Sequence, residues 1–190
     1  MVGDAEYEVD CLIFATGFDV GVSGVVSGTL PVVGRGGRSL LEAWGYGPRT
    51  LHGFSTHGFP NLFQLGPMQN ANSVNFVHIL QEQAAHISAM IARAEQVGAR
   101  RIEPTAEAED AWCRTVAETA RDVSDFQAQC TPGYYNGEGS RSIGGLTFSP
   151  GPVVFHRLLR EWREGDMGDV LVVSDADERI RETVSVGVPA

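Results

Sequence analysis

Two stretches combine residue types and spacings that suit ligand chemistry. The first is Asp10-Cys-Leu-Ile-Phe-Ala-Thr-Gly-Phe18-Asp19, where an apolar run ends in the small residues Ala15, Thr16 and Gly17. Small residues at a strand exit let a ligand come close to the backbone, and ligands of open α/β sheets gather beyond the carboxyl ends of strands. The same three residues serve equally well as a plain tight exit from a strand. The second stretch is Phe59-Pro-Asn-Leu-Phe-Gln-Leu65, which runs into Gly66-Pro67, a polar loop and a long helical pattern. A helix N-terminus carries unpaired N–H groups and about half a positive charge, so it can hold an anion or a partly negative carbonyl oxygen. Most such termini hold only water and their own caps, and that reading stays open here.

Other chemistries fail on spacing. The histidines at 52, 57, 78, 86 and 156 show no HExxH or comparable ligand pattern, so no metal site is expected. Ser55 and Ser73 lack a Gly-x-Ser-x-Gly setting, which argues against a serine hydrolase. Gly34-Arg35-Gly36-Gly37 has the wrong spacing for a dinucleotide loop, and no long helix follows it. Trp112 and Trp162 fall at helix-face positions that suit a core.

The elements that must position these residues are legible in part. Tyr7 to Phe14 reads as a central strand covered on both faces, and Phe59 to Leu65 as a second strand. Between them the glycine-rich stretch 21–60 holds short apolar segments, Leu30 to Val33 and Leu40 to Trp44, suited to short strands or a short helix. A helix is expected from about Ser73 to Val97, capped by Asn72 or Ser73 and ended by Gly98. Its apolar stripe would be Val74, Val77, Leu80, Ala84, Ile87, Ile91 and Ala94. A second helix is expected from Pro104 or Thr105 to about Val123, with Trp112, Val116, Ala120 and Val123 on one face. A third spans Val153 to Arg163, presenting Val154, Leu158 and Trp162. Cys130 to Gly151 reads as a loop, Val170 to Val173 as a short strand, and the residues after Ser174 as a mobile tail.

Composition narrows the function classes. The 190 residues are 43% hydrophobic and 20% charged, the profile of an ordinary globular chain. Scattered basic residues and a net charge of −10 argue against nucleic-acid binding, which depends on neutralising many phosphates at once. Cys11, Cys113 and Cys130 lie far apart with no CxxC pair, which suits a reduced compartment. No apolar run approaches the roughly 20 residues of a membrane span, and no secretory signal opens the chain, so a cytoplasmic location is expected.

Taken together the motifs identify a family. Asp-x-Leu-Ile-Phe-Ala-Thr-Gly-Phe-Asp resembles the segment by which Baeyer–Villiger and related flavin-containing monooxygenases return from their NADPH domain to their FAD domain. Gly-Arg-Gly-Gly-Arg-Ser-Leu-Leu-Glu-Ala-Trp (34–44), Gly-Pro-Arg-Thr (47–50), Gly-Phe-Pro-Asn-Leu-Phe (58–63) and Gly-Pro…Asn75-Phe76 follow in that family's order. Thr-Pro-Gly-Tyr-Tyr-Asn (131–136) and Phe155-His156-Arg157 resemble its C-terminal region.

The resemblance implies an α/β fold: the incomplete closing part of a Rossmann-like FAD-binding domain over residues 1–80, then a mainly helical C-terminal region over 81–174, with 175–190 as the tail. It implies the cofactors FAD and NADP, the substrates ketone and oxygen, and an ester or lactone product. Cofactor contacts would come from Thr16, Gly17, Gly66, Asn75 and Phe76. The substrate pocket would include Met68, Ser73 and Phe76, and a lid over NADP would use Thr131, Tyr134 and Tyr135. The tryptophan often found in that lid is absent, and Phe76 replaces a different apolar residue of many relatives. The Tyr-Tyr-Asn loop resembles the branch that accepts large-ring or steroid-like ketones.

The family's Gly-x-Gly-x-x-Gly motifs, its Phe-x-Gly-x-x-x-His fingerprint and its catalytic arginine have no counterpart in this sequence, so no catalytic residue is expected here. The chain is expected to need an N-terminal half and to be inactive alone. Two other readings are a flavin monooxygenase acting on nitrogen or sulfur, which shares the Ala-Thr-Gly element, and a catalytically silent fragment.

Overall fold

The computed structural model of the chain describes residues 6–15, 30–45, 47–121, 129 and 147–174. After a 3-10 turn at Arg35–Gly37, the described elements are helix α1 (Leu40–Trp44), helix α2 (Phe76–Gln96), strand β1 (Ala99–Pro104), helix α3 (Ala106–Thr119), helix α4 (Pro152–Glu164) and strand β2 (Val170–Ser174).

Ser39 starts α1 with a capping box: its hydroxyl accepts from the Glu42 N–H, and the Glu42 carboxylate accepts from the Ser39 N–H. Hydrogen bonds from the Ser39 backbone and then its side chain hold Glu42 below the usual carboxylate range. Thr105 caps α3 in the same manner through the Ala108 N–H. The long helix α2 begins at Asn75, whose side chain accepts from the His78 N–H, two residues beyond the expected cap Ser73. The Ser73 hydroxyl instead accepts from the Asn75 N–H and shapes the approach to the helix.

The main core gathers Leu51, Phe54 and Ala71 from the loops, Met90 and Ala94 from α2, Ile102 from β1, Trp112 and Val116 from α3, and Phe155 and Leu159 from α4. A smaller cluster, Leu40, Trp44 and Phe59, lies beside it. β1 and β2 pair antiparallel, with Ile102 opposite Val172 and Pro104 opposite Val170. They form a two-stranded sheet, the one sheet among the described residues.

Several expectations are corrected. Tyr7 to Phe14 is not a strand: it lies irregular and exposed, with Ile13 and Phe14 each 81% accessible. An apolar run becomes a central strand only where neighbouring strands take its N–H and C=O groups, and no described residue does so. Phe59 to Leu65 is a turn followed by an irregular stretch. Asn61 adopts a positive φ of 60° and fastens to β1, its N–H donating to the Ile102 carbonyl and its side-chain oxygen accepting from the Ile102 N–H.

Helices α2 and α4 meet the core on faces that only partly match their apolar spacing. α2 buries Ile79, Gln83, His86, Met90 and Ala94, with Ile87 partly buried against the core, whereas Val77, Ala84 and Ile91 are exposed. α4 buries Phe155, His156 and Leu159, and of the expected residues Leu158 and Trp162 pack partly buried against the core while Val154 is exposed. In α2 Gln83 finds hydrogen-bond partners inside and His86 packs among the Phe54 and Trp162 rings, so two polar residues sit where periodicity looks for apolar ones. β1 was not foreseen, because Ala-Arg-Arg-Ile-Glu-Pro has one large apolar residue. Its buried Glu103 is satisfied by the Gly58 N–H at 3.0 Å and by Arg35 at 3.0 Å. α3 buries Trp112 and Val116 as expected and ends at Thr119; Val123 lies outside the described residues.

Candidate functional site

The second sequence motif, Gly66 to Phe76, folds as a clamped loop that delivers an exposed helix start. Gly66, at φ +130°, is held from both sides by the fully buried Gln83 of α2. The Gly66 N–H donates to Gln83 Oε1 at 2.9 Å, and Gln83 Nε2 donates to the Gly66 carbonyl at 3.0 Å. That carbonyl also accepts from the Asn70 side chain at 2.7 Å. Gln69 is fixed on two sides: the Thr50 hydroxyl donates to its side-chain oxygen at 2.6 Å, and the Trp112 indole donates to its carbonyl at 3.0 Å. Thr50 in turn accepts from the Gly53 N–H at 3.1 Å. Gly53, at φ +85°, passes so close to the Met68 carbonyl that any Cβ would collide with it. The Gly66 N–H and the Gly66 and Gln69 carbonyls thus have buried side-chain partners, which hold the turn in one shape.

The neighbouring motifs anchor this loop to the helices. Arg49 of Gly-Pro-Arg-Thr pairs with Glu109 and Asp110 at the start of α3, and the Glu109 carboxylate also accepts from the His57 N–H. The Trp44 indole donates to the Arg49 carbonyl at 3.1 Å. The signature stretches 34–44, 47–50 and 58–63 therefore act here as scaffold.

Beyond Ala71 the chain rises to the surface. Asn72, Val74, Asn75, Phe76 and Val77 are exposed, Phe76 by 48% and Val77 by 66%, so an apolar rim surrounds the positive end of a 21-residue helix. Of the expected site residues, Gly66, Met68, Ser73, Asn75 and Phe76 fall on this one junction. Met68 is half-buried and packs against the Leu40, Trp44 and Phe59 cluster. Thr16, Gly17, Thr131, Tyr134 and Tyr135 lie outside the described residues. Residues that sequence reasoning missed are Gln83, Thr50, Gly53 and the Trp112 indole. The signal available for Gln83 was a polar residue on the inner arc of an otherwise apolar helix.

No protein-family model matches the chain. A Baeyer–Villiger monooxygenase of Streptomyces coelicolor is 58% identical over 173 residues, which cover 90% of this chain and 28% of that protein. The chain belongs to the Baeyer–Villiger monooxygenase family. Solved structures agree. A polycyclic ketone monooxygenase from the fungus Thermothelomyces thermophila matches with a TM-score of 0.80 and 33% identity, over 92% of this chain and 29% of that one. An oxidized steroid monooxygenase bound to NADP matches with a TM-score of 0.72 and 29% identity, over 90% and 31%. The chain thus spans under a third of the length of these Baeyer–Villiger relatives. No helix among the described residues is long and apolar enough to cross a membrane.

Proposed function

We propose that these residues form one wall of the flavin and substrate site of an FAD- and NADPH-dependent Baeyer–Villiger monooxygenase that converts ketones to esters or lactones. The observation that carries this reading is the Gln83-clamped loop, which presents an apolar rim at the head of α2. A bound flavin would supply the oxygen-transfer chemistry; the protein supplies position, charge and dryness.

The residues present fit that cofactor. Val74, Phe76 and Val77 offer exposed apolar surface suited to a flat ring, and the positive end of α2 suits the electron-rich edge of a reduced flavin. Asn75 and Phe76 would hold the ring, with Gly66, Thr16 and Gly17 near the cofactor. Phe76, Met68 and Ser73 would shape the ketone pocket, and Thr131, Tyr134 and Tyr135 would close over NADP. The division at residue 80 into the end of an FAD-binding domain and a helical region belongs to this reading. So does the inactivity of the chain alone, since it carries no Gly-x-Gly-x-x-Gly. The Tyr-Tyr-Asn loop and two structural neighbours, a polycyclic ketone and a steroid monooxygenase, favour bulky cyclic ketones, whereas the cyclohexanone monooxygenases among the neighbours are named for a small one.

A chimera tests the proposal: these residues replace the matching segment of the Streptomyces coelicolor relative. Expected are yellow, flavin-loaded protein and NADPH-dependent ester formation from polycyclic ketones. A Phe76→Ala change should shift preference among ketones by at least about tenfold, since even one methylene-sized contact in an apolar pocket is worth about that much. A folded chimera without flavin, or one that oxygenates only amines and sulfides, overturns it.

A further inference from the structure

Sequence spacing foretold no metal site, yet the fold assembles one group of ligands. His78 and Glu82 stand four residues apart on α2, so they share a helix face. His156 of α4 meets them there. One ligating atom from each of the three lies within 4.8 Å of the others, and the His78 and His156 rings contact edge to face at 4.9 Å. His156 is 7% exposed, and its buried Nε2 makes no hydrogen bond, an arrangement that a buried polar atom rarely keeps without a ligand. Arg163 Nη2 lies 3.7 Å from Glu82 Oε2, beyond hydrogen-bond length, so the carboxylate's other oxygen stays available to a cation.

We propose that His78, Glu82 and His156 bind a divalent first-row transition ion, zinc being the type case, and that this ion staples α4 to the first turns of α2. Two imidazoles and one carboxylate are a donor set that zinc accepts, with a fourth position left to water, whereas calcium and magnesium prefer oxygen alone. Ligands of a tetrahedral zinc, at about 2.0–2.1 Å from the metal, stand roughly 3.3 Å apart. The three donors therefore need to close by up to about 1.5 Å, which the exposed His78 side chain on a first helical turn allows. The third ligand lies on another helix, far along the chain, which is why no local pattern announced the site.

The test is titration of the metal-stripped chain with zinc, and separately with cobalt(II), whose visible bands report imidazole and carboxylate ligation. Expected is one ion per chain, reached where the cobalt(II) bands saturate. His78→Ala and Glu82→Gln, both at positions that the core does not need, should each weaken binding by at least about tenfold, the loss that even an outer partner of a metal ligand causes. Glu107→Gln on α3 should change nothing. Absence of binding at micromolar zinc overturns the proposal. So does unchanged affinity in either variant, or binding that persists in concentrated urea, where the unfolded chain would be the ligand.

Discussion

Gln83 donates to and accepts from the backbone of one residue, Gly66, and does so from the buried face of α2, beside Ile79, His86 and Met90. Replacing it by leucine keeps the volume and removes both bonds, leaving the Gly66 N–H without its acceptor in a half-buried site. A cost of about 2 kcal/mol is expected, since an orphaned buried donor forfeits its full desolvation penalty. Urea denaturation of Gln83→Leu against the unchanged chain reads this directly, and an unaltered midpoint would show that the loop is held by Thr50, Asn70 and Trp112 without it. Gly53 makes the same point in backbone terms: its positive φ and its closeness to the Met68 carbonyl leave no room for a side chain.

Where α2, α3 and α4 pack together, two histidines are buried among aromatic rings. His52 touches Trp112 and Trp162 edge to face, and His86 lies against Phe54 and Trp162. Burial pushes His52 down to about 3 and, together with the nearby His52 and Arg163, pushes His86 down to about 2. Both rings are therefore neutral when folded, and each Nδ1 lacks a partner. The unfolded chain takes up these protons near the ordinary value of 6.5, whereas the folded chain refuses them. Stability should thus fall as pH drops below about 6.5, by up to about 1.4 kcal/mol per pH unit for each histidine. Equal urea midpoints at pH 7 and pH 5 would contradict this account of the helix packing.

For the whole molecule, the notable feature is apolar surface without cover. Leu12, Ile13 and Phe14 are consecutive and exposed, as are Leu65, Val74 and Val77 near the head of α2. Contiguous exposed apolar surface and an unpaired strand-forming segment favour association. The isolated chain should sediment as a mixture of oligomers and aggregates, and its thermal transition should be broad. A monodisperse monomer with a sharp cooperative transition would show that these surfaces are satisfied within the 190 residues.

The sequence by itself determined the family, through the order of its short motifs, and the existence of three helices, because each has apolar residues recurring at helical spacing. It also marked the junction at Gly66–Phe76, because a glycine-proline turn before a long helix is a local event. Tertiary structure alone decided which way the helices turn. Apolar spacing found only part of the buried faces of α2 and α4, because Gln83, His86 and His156 are polar residues whose burial depends on groups elsewhere in the chain packing over them. It also decided that Tyr7 to Phe14 finds no strand partner among the described residues, since a strand is defined by its neighbours rather than by its own residues. And it brought His78, Glu82 and His156 together, a meeting of two helices that no local spacing encodes.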